Sequence, residues 1–245
     1  MLVFVRVGAL LATLPFFSAA SIPVRVRLAL GAVVAFLVAP VLPVSEMAQA
    51  NLWALVRVLA IEAIVGLLLG FVCRMIFFAI ELAGNIIATE IGLSLPPSIN
   101  PFNAAQNMAP ATILYWMGIM LLLGFDLHHW MVIAFYRSYE LLPVGIAHGS
   151  QPLFYDVIER SAGIFQIALQ MTAPVLAASF IITLVFSVLG RAVPQMNVFS
   201  ESYAVRTLVG LSVFGLSTTL MAHYISNYLH KLPEDFARVA KLLAT

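Results

Sequence analysis

The chain has 245 residues, of which 62% are hydrophobic and only 9% charged, and its formal net charge is +1. An ordinary soluble domain carries about 25% charged residues, and one this apolar would expose patches large enough to drive aggregation. The composition excludes a soluble enzyme, and so small a net charge offers no electrostatic footprint for a nucleic acid.

A membrane-spanning helix needs about 20 apolar residues to cross a hydrocarbon core of about 30 Å. Lipid offers no water to backbone groups, so such segments are expected to be helical. We read about six long apolar segments: Leu2–Ala20, Leu28–Leu42, Leu52–Leu82, Ala109–Phe125, Ile164–Leu189 and Leu208–Leu229. The expected fold is an all-α polytopic membrane protein with shorter interfacial helices between these segments.

The first segment holds one charge, Arg6. Its end at Ala19, Ala20 and Ser21 also fits a signal peptide. Pro15, Phe16 and Phe17 late in the run, and the hydrophobic sequence beyond, favour a retained helix. Arg25 and Arg27 in the first connection place that loop on the cytoplasmic side and Met1 outside. Pro40 and Pro43 close the second segment.

The third segment is longer than one bilayer crossing. Glu62, Gly66, Gly70 and Arg74 step by four along it, and Glu81 follows seven residues later on nearly the same face. Small residues at that spacing admit a neighbouring helix, and ionised groups at membrane depth need a partner or a wet cavity. Two readings stand: a polar ridge buried between subunits or lining a conduit, and an intrachain ion pair that holds the fold. Cys73, the single cysteine, permits no intrachain disulfide and reads as a packing residue. Arg57, Glu90, Arg191, Glu201 and Arg206 flank apolar runs, where snorkelling explains them.

The stretch from Pro96 to Pro110 is the least helical of the chain, because its prolines fix φ and remove donors. It is polar without charge, and reads as a functional loop or a plain connector. Asp126 to Ile146 is an interfacial stretch, with His128, His129, Trp130, Tyr136 and Tyr139. Asp126, His128 and His129 look like metal ligands, but neighbouring histidines are expected to diverge on a helix, so no metal is expected. Asp156, Glu159 and Arg160 open the next helix, and Gly190–Glu201 is a break centred on Pro194. From Pro233 to residue 245 the pattern is a short amphipathic helix, with Phe236, Val239, Ala240 and Leu243 on one face. It is expected to lie on the membrane or to dock on a partner. No phosphate loop, CxxC or GxSxG elbow is present, and no cofactor is expected.

Three blocks together resemble one family: GFVCRMIFFAIELAGNIIATEIGLS from Gly70, LLLGFDLHHWMVIAFYRSYELLPVG from Leu121, and APVLAASFIITLVFSVLGRAVPQMNVF from Ala173. The N-terminal RVGALLATLPFFSAASIPVRVRLAL also fits. They resemble the FliR family of flagellar biosynthetic proteins and their injectisome counterparts. The resemblance covers residues 1–245 as a single domain, with the helix at 233–245 inside it. Its motif positions here are Gly84, Gly92, Leu93, Ser94, Asp126, His128, Pro143, Pro194, Gln195, Asn197 and Phe199. The chain departs from the family at Leu127, where Asp-Gly-His is usual, and at Asn100-Pro101, where an Asp-Pro is usual. Hydropathy by itself carries none of this.

The resemblance implies a non-enzymatic core subunit of the type III protein export gate, which lets unfolded export substrates cross the bacterial inner membrane at the flagellar basal body. It implies assembly with FliP-like and FliQ-like subunits and an FlhB-like protein into a helical export-gate complex in contact with lipid. Much of the subunit would then be held in the assembly rather than crossing lipid. It also implies a pore plug formed by Leu95, Pro96, Pro97, Ser98, Ile99, Asn100, Pro101, Phe102, Asn103 and Gln106. Two alternatives belong to other classes: a small-molecule transporter or channel acting alone, with helices interrupted at Pro96 and Pro194, and an intramembrane enzyme built on Asp126, His128 and Glu90.

Overall fold

The computed structural model describes residues 1–18, 22–39, 52–93, 109–147, 150–193, 195 and 197–244. Pro15 sets the first boundary. A residue before proline is driven out of the α region, and Leu14 has φ −59° and ψ 129°. Helix α1 (Leu2–Thr13) therefore stops there, and α2 (Pro15–Ser18) restarts on the proline. The segment expected to run unbroken to Ala20 is thus two helices. Twelve residues of α1 reach only about 18 Å, too short to cross a bilayer.

Seven further helices follow among the described residues: α3 (Val24–Val38), α4 (Leu52–Glu90), α5 (Ala109–Gly124), α6 (Leu127–Leu141), α7 (Gln151–Ala192), α8 (Val198–Leu229) and α9 (Leu232–Ala244). Helix α4 extends to Glu90, well past the expected Leu82. Helix α7 starts at Gln151, ahead of the Asp156, Glu159 and Arg160 turn expected to open it, and continues through Pro174. Among the described residues three helices are long and apolar enough to cross a membrane, or four if α5 and α6, which meet at a bend, count as one span. Three of the six long segments expected from hydropathy correspond to these helices, α4, α7 and α8. Among the described residues α1 and α3 are shorter than a span, and α5 reaches span length only together with α6. The coarser expectation stands: the protein is an all-α membrane protein.

Packing divides the chain into two compact units. The first comprises Met1–Phe77, Leu122–Ser161 and Tyr228–Thr245, and the second Phe78–Leu121 and Ala162–Asn227. In the first, Val7, Leu10, Leu11, Val65, Leu69, Phe135, Leu142 and Phe236 form the core. Helix α1 packs on α3 at Gly31, which lies close to Phe4, Gly8 and Leu11. Helix α9 docks on α6. Leu232, Phe236, Val239, Ala240 and Leu243 are buried there, so the apolar face predicted for this helix is covered by its own chain. The helix starts at Leu232, one residue before the expected Pro233. In the second unit, Ile80, Ala83, Ile87, Ile91, Leu114, Ala168, Met171, Val175 and Met221 are buried.

Candidate functional site

The first unit contains a buried charge centre. Arg6 on α1 and Glu62 on α4 are both fully buried. Arg6 Nε donates to Glu62 Oε2 at 2.6 Å and Nη2 to Oε1 at 2.9 Å, a bidentate pair. The remaining guanidinium donors reach the Leu142 carbonyl at 3.2 and 3.3 Å, just past the end of α6. The cation also lies 4.0 Å from the centre of the Tyr139 ring, a cation–π distance. The Gly145 N–H donates to Glu62 Oε1 at 2.9 Å, from a turn in which Gly145 has φ 81°. Pro143 lies in the same turn. One ion pair thus ties α1, α4 and α6 together, with its lone pairs and protons satisfied as burial requires.

The ridge read from the sequence divides accordingly. Gly66 and Gly70 do face a helix, and that helix is α1 of the same chain. A Cβ on Gly66 would collide with the Arg6 carbonyl and Ala9, and one on Gly70 with Thr13 and the Leu10 carbonyl. This close approach is what allows Arg6 to reach Glu62. Of the two readings, Glu62 takes the intrachain ion pair, and its partner is Arg6, which the ridge did not include. Arg74 is half-buried in the first unit, and Glu81 belongs to the second.

In the second unit, the family motif explains how α4 ends. The Leu93 N–H bonds the Ala88 carbonyl at 2.8 Å and the Gly92 N–H the Thr89 carbonyl at 3.1 Å, a Schellman motif. It requires a left-handed residue, supplied by Gly92 at φ 82°. Two side chains of α8 then occupy the last carbonyls. Tyr203 Oη donates to Gly92 O at 2.7 Å and Thr207 Oγ1 to Ile91 O at 2.8 Å. A Cβ on Gly92 would stand 2.6 Å from the Tyr203 ring. Gly84 contacts the backbone of Ala111 on α5. Glu90, read as a snorkelling charge, instead accepts a short hydrogen bond from Ser179 of α7. Asn197 caps α8, its side chain facing the Ser200 N–H at 3.4 Å. Gln195 is in an exposed turn, and Phe199 falls in the first turn of α8. Ser94, Pro194 and the ten expected plug residues from Leu95 to Gln106 lie outside the described residues.

Asp126 has φ 55° and precedes α6. There Asp126 Oδ1 lies 3.4 Å from His129 Nδ1, and the two imidazoles have ring centres 4.0 Å apart with planes tilted by 37°. One ligand atom from each of Asp126, His128 and His129 lies within 4.8 Å of the others. The expectation that adjacent histidines diverge fails here: both lie in the first turn of α6, with Asp126 just before it. The set is largely solvent-exposed.

The chain matches the family model of bacterial export proteins, family 1, over residues 1–232. It belongs to the FliR family of bacterial export proteins. It is 30% identical to the flagellar biosynthetic protein FliR of Caulobacter vibrioides over 240 residues, covering 96% of this chain and 94% of that protein. It is 28% identical to FliR of Escherichia coli over 240 residues, covering 98% and 90%, and 30% identical to FliR of Bacillus subtilis over 205 residues, covering 81% and 78%. The buried centre of this FliR-family chain was only half legible. Arg6 and Glu62 are lone charges in apolar runs, and such charges seek each other, but 56 residues separate them. Tyr139 was legible only as an interfacial aromatic, and Tyr203 and Thr207 gave no signal, because ring and backbone contacts leave no sequence period.

Proposed function

We propose that this chain is a non-enzymatic core subunit of the type III protein export gate in flagellar biosynthesis, acting at the flagellar basal body in the bacterial inner membrane. The observation that carries the reading is the family membership across nearly the whole chain. The flagellar names of the relatives favour a flagellum over an injectisome. The surface supports assembly: Phe180, Ile181, Val188, Leu208 and Leu216 are exposed large apolar residues, and only 11% of the most apolar window of α7 is buried. Sister helices and lipid would cover them. FliP-like, FliQ-like and FlhB-like proteins are the proposed partners, and unfolded export substrates the cargo. Leu95 to Gln106 is proposed as the plug, hung from the Gly92 cap that Tyr203 and Thr207 clamp.

The test is co-purification. The tagged chain is expressed with FliP-like and FliQ-like proteins of the same organism, solubilised in mild detergent and weighed by native mass spectrometry. A discrete complex containing all three is expected. A monomer or homo-oligomer, with the partners present but absent from the complex, would overturn the reading and favour a transporter acting alone.

A further inference from the structure

The second unit carries a cavity of about 310 Å³ lined by Glu81, Asn85, Ala111, Thr112 and Tyr115. Glu81 and Asn85 are one turn apart on α4, so both side chains serve one face. The Asn85 Oδ1 is buried with no hydrogen-bond partner. No cation pairs with the Glu81 carboxylate among the described residues. Beside the Thr112 and Tyr115 hydroxyls, the cavity therefore presents a carboxylate paired with no cation and the buried Asn85 Oδ1, which accepts no hydrogen bond. Both are costly at membrane depth unless a donor arrives.

We propose that this cavity receives a basic side chain, best an arginine, carried by a helix of a neighbouring subunit. The inference rests on the assembly proposed above and adds a contact within it. Charge complementarity selects the occupant. A guanidinium forks onto the Glu81 carboxylate and keeps a further N–H for Asn85 Oδ1. Ala111 and the Tyr115 ring suit an aliphatic stem, and the ring face also suits the cation. The surroundings select its carrier. Thr112 heads an exposed stripe of α5 that continues through Trp116 and Met120, a surface that a second apolar helix covers and a hydrated ion does not approach. Glu81 and Asn85 are polar on a helix that is otherwise apolar at this depth, and the carboxylate is fully accounted for only when a neighbour neutralises it.

The experiment uses the full chain with the partner proteins named above. A photo-crosslinking phenylalanine analogue replaces Thr112, and Glu81→Gln and Glu81→Lys are made separately. The expected crosslink joins position 112 to a peptide of another subunit that contains an Arg or Lys, identified by mass spectrometry. The yield of complex per amount of membrane-inserted chain should fall about tenfold or more in Glu81→Lys and less in Glu81→Gln. Reversing the charge of the crosslinked basic residue should restore Glu81→Lys, which separates a lost contact from a misfolded chain. A crosslink confined to this chain or to lipid overturns the proposal, as does an unchanged yield in both variants while the wild type assembles. If the wild type forms no complex at all, the proposed function fails, and this contact with it.

Discussion

Arg6 and Glu62 show what a buried charge does when its partner is lost. Both are without solvent exposure, and the pair is completed by Leu142, Tyr139 and Gly145. Arg6→Ala leaves a dry carboxylate with one backbone donor, which should cost about 3–5 kcal/mol. Thermal unfolding in detergent should show a large drop for Arg6→Ala and for Glu62→Ala. The double variant Arg6→Met with Glu62→Met should recover much of it, since a well-packed apolar pair often matches a buried ion pair. Equal losses in the single and double variants would show that α1 and α4 are held by something else. Each residue was legible as an isolated charge in an apolar run. That they are partners was not, because their 56-residue separation has no periodic trace.

Helix crossings were more legible, though not which helix arrives. The four-residue spacing of Gly66 and Gly70 correctly marks a close approach, yet the helix that arrives is α1 of the same chain. Gly66→Val should push α1 off α4, cost about 1–3 kcal/mol, and lower the unfolding temperature by more than the same change at Gly163, which has open space around it. The C-terminal helix was legible in both faces and position, since five apolar residues at helical spacing must be covered by something. Its polar face is anchored as well. Asp156 on α7 is nearly buried and accepts from Arg160 at 2.6 Å and from Arg238 at 3.0 Å, while Arg160 also reaches Asp235 at 2.7 Å. Asp156→Ala should loosen α9, and amide exchange there should speed up by roughly tenfold or more, as loss of charged hydrogen bonds predicts. Exchange unchanged within α9 would mean that the apolar face alone holds it.

At the scale of the molecule, the relevant state is an assembly in a membrane. Deleting Pro96 to Gln106 should raise the leak of small solutes through the assembled complex, read as dye flux in vesicles, if that segment is the plug. An unchanged leak would remove the assignment while leaving subunit assembly intact. By itself the sequence determined the solvent, the helical class and the family, because composition, apolar length and short motifs are properties of residues and their near neighbours. It also placed the amphipathic tail, whose period is local. Only the tertiary structure decided how long α4 and α7 run, which cation belongs to Glu62, and that Asp126 and two histidines come together. Those outcomes depend on contacts between residues far apart in the chain or on a single left-handed turn, and neither leaves a repeat that a sequence can display.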